Sequence, residues 1–124
     1  MSHDTLADAL NKMMNAVRAG QVTVTISHSS RLLFSVLALA KLKGYITDYK
    51  NENNILTITL GKLNACKSIK PRYLVHSEEL DEFVARYLPA RELGMLVVST
   101  PEGIMTHQTA QQKKIGGSLL AYFY

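Results

Sequence analysis

The stretch Gly94–Tyr124, GMLVVSTPEGIMTHQTAQQKKIGGSLLAYFY, contains the elements of a small, mostly β domain in order. Its unbroken apolar run from Met95 to Val98 is too short for a helix. With Ser99 it reads as a buried strand. Pro101-Glu102-Gly103 is a turn signal and Ile104-Met105 a short returning strand. The Thr106 hydroxyl is placed to cap a brief helix that reaches about Lys113. Gly116-Gly117 is a break, and Leu119–Tyr124 forms a final strand. The polar residues of this frame cluster at its corners. Ser99 and Thr100 end the first strand, Gly103 turns it, Thr106 and His107 open the helix, and Lys113 and Lys114 close it. Turns and helix N-termini with exposed N–H groups attract phosphate, and paired glycines let a ligand backbone come close.

Towards the N-terminus, Ser77 is placed to cap a helix with Leu80, Phe83, Val84 and Tyr87 on one face. Glu78 and Glu79 in its first turn suit the helix dipole, and Pro89 stops it. Ala65–Ile69 and Tyr73–His76 are short strands separated by Pro71. The composition shifts at Gly61–Asn64, which predicts two domains, residues 1–64 and 65–124. In the first, Leu6, Leu10, Met13, Met14 and Val17 recur at helical spacing, so Thr5–Ala19 is predicted helical. Asp4 serves as its N-cap and Gly20 follows its end. Val22, Val24 and Ile26 alternate with polar residues as in a half-buried strand. Ser29 or Ser30 caps a second, largely apolar helix, Arg31–Lys43, which Gly44 ends. Tyr45–Tyr49 and Ile55–Leu60 form a hairpin about Asn51–Asn54. The predicted fold class is α+β: an N-terminal α-β-α-β-β domain packed against a mostly β C-terminal domain with one or two short helices.

With 124 residues, 47% apolar and 19% charged, the chain has the composition of a globular protein with a real core, not of a disordered one. A single cysteine, Cys66, makes no internal disulfide and reads as a reduced, intracellular thiol. The four histidines, at positions 3, 28, 76 and 107, show no pairing at helical ligand spacing. No metal and no cofactor is therefore expected. Cys66 with His76 or His107 is the one route to a small thiol enzyme. A cysteine between Ala65 and Lys67 in a predicted strand is more simply a small core residue. The longest apolar run, Leu32–Ala40, is nine residues, against ~20 for a membrane span. Met1-Ser2-His3-Asp4 lacks the basic start of a signal peptide, so the expected location is cytoplasmic. The net charge of +4 is unevenly spread. No Asp or Glu occurs from Asn53 to Ser77, where Lys62, Lys67, Lys70 and Arg72 fall, whereas Glu78, Glu79, Asp81 and Glu82 lie together. Such a distribution suits a polyanionic partner on the basic side.

These motifs occur together in one known family. GMLVVSTPEG at Gly94–Gly103, then Ile104-Met105-Thr106-His107, Ala110, Gly116-Gly117 and the ending Leu120–Tyr124, closely resemble the C-terminal half of the small-subunit ribosomal protein S8 family. Upstream, Ile69–Tyr73, Arg86–Arg91 and Gly61–Asn64 are similar to its archaeal and eukaryotic branch, called S-fifteen-A in eukaryotes. Leu6–Leu10, Asn15-Ala16, Ser29-Ser30-Arg31 and Gly44-Tyr45-Ile46 extend the resemblance over essentially the whole chain. It implies a non-enzymatic constituent of the small ribosomal subunit. Such a protein binds the central domain of small-subunit rRNA, supports subunit assembly, and touches neighbouring small-subunit ribosomal proteins. It implies no membrane and no small-molecule substrate. Carried over residue by residue, the RNA-facing set is Ser99, Thr100, Gly103, Thr106, His107, Gly116, Gly117 and Tyr122, joined by Ser30, Arg31, Lys70 and Arg72. Lys113 and Lys114 add a basic spot. Pro101, Gln111 and Ser118 depart from the family's usual residues. The other readings are a free RNA-binding regulator and the thiol enzyme.

Overall fold

The computed structural model describes residues 5–70, 72–90 and 93–124. Asp4 as a helix cap, Pro71 as a strand break and Arg91 within the resemblance lie outside the described residues. The chain divides into two units, Met1–Lys67 and Ser68–Tyr124.

In the first unit, the helical stripe of Leu6, Leu10 and Met13 is buried on α1 (Thr5–Arg18). The helix ends as its sequence requires: Gly20 takes φ +73, and Gln21 N–H and Gly20 N–H bond back to Ala16 O and Val17 O. This is the glycine-closed end that satisfies the last carbonyls. β1 is Thr23–Ile26 and buries Val24 and Ile26. Val22, expected on the same inward face, precedes the strand and is 62% exposed. α2 (Arg31–Leu42) starts at Ser30, whose hydroxyl accepts from Leu33 N–H at 3.2 Å. It buries Leu33, Val36, Leu37 and Ala40 but leaves Leu42 exposed. β2 (Ile46–Glu52) and β3 (Ile55–Leu60) are joined by Asn53-Asn54, both at positive φ. A two-residue loop of that hand matches strand twist, so pairing continues to Glu52 opposite Ile55 and β2 outruns its expected end at Tyr49. The sheet is antiparallel with order β1-β3-β2.

The second sheet is also antiparallel, so the fold is α+β, as expected. Its strands are β4 (Cys66–Ser68), β5 (Leu74–Val75), β6 (Met95–Thr100), β7 (Gly103–Thr106) and β8 (Gly117–Phe123). The order is β4-β8-β6-β7, with β5 also paired to β8. A 3-10 turn at Ser77–Glu79 leads into α3 (Leu80–Tyr87), and α4 (His107–Lys113) follows β7. The turn is tied by Glu79, whose carboxylate accepts from His76 N–H at 3.1 Å, rather than by the expected Ser77 cap. Ile69, Val75, Leu80, Val84, Leu96, Val98, Met105 and Leu119 form the core, with Tyr73, Phe83, Tyr87 and Tyr122 packed at its margin. Each fully buried aliphatic side chain here contributes ~1.5–3 kcal/mol.

β8 begins two residues earlier than expected, because Gly117 is already its first residue, with Gly116 immediately before it. A Cβ on Gly117 would lie 2.1 Å from Ser99 O, and one on Gly116 2.3 Å from Val75 O. The chain passes too close to β6 and β5 for any side chain. Their role is therefore close packing inside the fold.

Candidate nucleic-acid interface

Ser99 closes the regular part of β6, opposite Ile104 on β7 and Ser118 on β8. All three are half-buried. Among the described residues the Ser99 hydroxyl has no hydrogen-bond partner. Thr100, next along, faces the other way and is 9% exposed. Its hydroxyl donates to Gly103 O at 2.7 Å and accepts from Glu102 N–H at 3.2 Å. That hydroxyl braces the Pro101-Glu102 turn, and Gly103 supplies the φ of +119 that closes it. Two adjacent hydroxyls of the sequence thus do different work: one is unused by the fold and the other is spent on it.

The start of α4 is inward-facing. Thr106, 2% exposed, is its N-cap and accepts from Thr109 N–H at 3.3 Å. His107 is equally buried, and its Nδ1 accepts the Leu96 N–H at 3.1 Å. The ring therefore ties α4 to β6. Its burial takes it out of reach of a partner, contrary to the surface role that the resemblance implies for it. At the far end of α4, Lys113 and Lys114 are exposed. Lys113 Nζ is 3.8 Å from Glu102 Oε1, with both side chains about half exposed, which brings the turn and this cation together. Lys114 holds φ +57, and Ile115 N–H bonds back to Ala110 O. Lys114 thus occupies the left-handed position that glycine fills at the end of α1.

Tyr122 is half-buried, 5.6 Å from the Tyr87 ring and 6.0 Å from Tyr124, both stacked. Its face is taken by its neighbours, so it joins α3 to β8. Lys70 and Arg72 are exposed on the connection to β5. Ser99, Gly103, Lys113 and Gly117 are brought to one end of this sheet and α4. Ser30 and Arg31 belong to the first unit. Ser30 is occupied as the α2 cap. Arg31 is exposed in the first turn of α2, which contains no acidic residue. A cation there opposes the helix dipole, so it does not serve helix stability.

Cys66 is buried, and its Sγ donates to Leu10 O at 3.5 Å. Burial pushes the thiol up to about 12. A nucleophilic cysteine needs the opposite shift, so the thiol-enzyme reading loses its only nucleophile. A cleft of about 630 Å³ in the first unit includes Asp8, Lys12, His28 and Ser29 in its walls. The Asp8 carboxylate sets it against a phosphate.

Sequence reasoning missed Leu74, a strand residue that is 82% exposed. Only the register of β5 on β8 reveals its place opposite Ser118. It also treated Ser118 as a departure from a pattern rather than as the partner of Ser99.

In a comparison with protein families, the model of ribosomal protein S8 matches residues 4–124.

Proposed function

Because the chain belongs to the ribosomal protein S8 family, and so is an rRNA-binding protein of the small ribosomal subunit, we propose that it binds the central domain of small-subunit rRNA and supports assembly there. The observation that carries the site is the Ser99 hydroxyl, half-buried at the strand end and unused among the described residues. Structured RNA is read through its shape, sugar hydroxyls and phosphates. Such recognition needs short polar side chains on a rigid backbone, with cations around them. Here the backbone is fixed by the Thr100 brace and by the close passage of Gly116 and Gly117. Lys113 and Lys114 lie at the C-terminal end of α4, and Lys70 and Arg72 lead into β5. These cations neutralise phosphates without specifying bases. Arg31, placed against its helix dipole, adds a phosphate contact from the first unit.

The motifs at Gly61–Asn64, Ile69–Tyr73 and Arg86–Arg91 resemble the archaeal and eukaryotic branch and support assigning the chain to it, with the cytoplasmic ribosome as its working location. Its neighbours there are other small-subunit ribosomal proteins. The test is binding of the full chain to separate domains of small-subunit rRNA. Tight binding to the central domain alone supports the reading. Equal binding to every domain refutes it. Sedimentation of a native lysate separates a subunit constituent, which travels with small subunits, from a free regulator, which stays at the top of the gradient.

A further inference from the structure

Resting on that reading for the partner's identity, we propose that the free edge of β1 is covered in the small subunit by an extended, uncharged segment of a neighbouring ribosomal protein, which pairs with Thr23 and Thr25 as a fourth strand of the first sheet. Among the described residues β1 pairs with β3 alone, at one edge of the order β1-β3-β2. Leu60 N–H donates to Val22 O at 2.7 Å. In an antiparallel pair, successive residues alternate between turning both backbone groups towards the partner strand and turning both away. Val22, Val24 and Ile26 therefore bond towards β3, while the N–H and C=O groups of Thr23 and Thr25 turn outwards. No backbone bond among the described residues uses those outward groups.

The two edges of this sheet are built differently. β2 carries Asp48, Lys50 and Glu52, and its register shifts between Ile46 and Asp48. Charges and bulges of that kind keep another chain from adding to an edge. β1 has no charge and no proline, and it pairs in unbroken register. Val22 gives a second sign. By strand alternation its side chain lies on the face of Val24 and Ile26, which are buried, yet Val22 is 62% exposed. An apolar residue on an added strand covers it.

The chemistry of the edge selects the occupant. Donors and acceptors alternating at strand spacing match another peptide backbone. A phosphate chain bonds only the N–H groups and is repelled by the C=O groups between them. Charge does not favour a polyanion either. No Asp, Glu, Lys or Arg occurs from Ala19 to Ser30, and β3 has none. α1, packed against β1, carries Asp8 as well as Lys12 and Arg18. On the open face of the sheet, Asp48, Lys50 and Glu52 lie in register with Thr59, Thr57 and Ile55, one base between two acids. The segment that fits has β-branched residues opposite Thr23 and Thr25, where such pairs are favourable, and apolar ones opposite Val22 and Val24.

The experiment follows backbone hydrogen exchange over Val22–Ile26 in the free full chain, in its complex with protein-free small-subunit rRNA, and in purified native small subunits. The fast amides of Thr23 and Thr25 should be present in the first two samples and lost in the third. A variant, Thr25→Pro, removes one outward N–H and sets a ring on the open edge, a place where strands tolerate proline. It should melt like wild type and bind protein-free rRNA equally well, yet enter small subunits about tenfold less well than wild type in a mixed reconstitution. If Thr25→Pro melts early, the exchange comparison on wild type decides alone. Protection in the free chain that grows with concentration would make a second copy the occupant, and protection by rRNA alone would make it RNA. Either overturns the proposal, as do fast Thr23 and Thr25 amides in native subunits or equal entry of a stably folded Thr25→Pro. Absence of the wild-type chain from small subunits refutes the underlying reading instead.

Discussion

At the scale of single residues, the site separates positions that serve the fold from positions that serve a partner, and substitutions should sort accordingly. Thr100→Val deletes a hydroxyl that both donates to Gly103 O and accepts from Glu102 N–H. It should cost about 1–3 kcal/mol of folding stability, with RNA affinity per folded molecule preserved. Denaturant unfolding and filter binding on the same sample measure both. Ser99→Ala should do the reverse: stability within about 0.5 kcal/mol of wild type and weaker RNA binding. Lys114 combines strain with charge. Its φ of +57 disfavours any side chain, so Lys114→Gly should raise stability by about 1 kcal/mol while weakening RNA binding. Cys66 provides a pH test. Because the folded thiol is pushed up to about 12, it stays protonated through neutral pH and should not react with an aromatic disulfide reagent at pH 8 until the protein is unfolded. The raised value favours the folded state below the ordinary thiol range, about 8.5–9. That contribution is lost as the pH climbs from there towards 12. Rapid reaction of the native protein at pH 8 would contradict the burial.

At the scale of elements, helices and long strands were legible because periodicity and caps agree. α1 shows its stripe, and the starts of α2 and α4 each follow from one hydroxyl, Ser30 and Thr106, and the residues after it. Legibility failed where a tertiary contact decided the matter. Gly116-Gly117 looks like a break, yet Gly117 opens β8, and the backbones of Val75 and Ser99 pass so close to the pair that only glycine fits at either position. The resemblance puts His107 in the RNA-facing set, yet a core amide, the Leu96 N–H, donates to its Nδ1. The two-residue strand β5 leaves too little pattern to show that Leu74 faces out beside Ser118. The acidic helix shows both sides of this. Glu78, Asp81 and Glu82 are exposed, but Glu79 closes the preceding turn, and Asp81 accepts from Gln111 Nε2 at 2.9 Å. Gln111, a departure from the family pattern, thereby acquires a structural partner. A charge reversal meant to test whether α3 avoids RNA therefore belongs at Glu82. Glu82→Lys should leave stability and specific binding nearly unchanged and strengthen binding to unrelated RNA. A fall in specific binding would show that α3 faces a partner.

At the scale of the whole molecule, the account is a polyelectrolyte argument joined to a rigid reading surface. Arg31, Lys62, Lys67, Lys70, Arg72, Lys113 and Lys114 exceed what one RNA face engages at once. If about four contact phosphate, the log–log salt slope should be roughly −3 to −4. Replacing Lys113 and Lys114 by Gln should flatten it by about 2 and weaken binding to all RNAs alike. The central claim is that the chain recognises one region of rRNA rather than polyanions in general. It is tested most directly by the affinity of the full chain for a central-domain rRNA fragment against an unrelated structured RNA of equal length, at one physiological salt concentration. The account predicts a preference for the fragment of about 100-fold or more, an order of magnitude set by bonds to ribose and bases beyond the shared phosphate term; equal affinity for the two RNAs would contradict it.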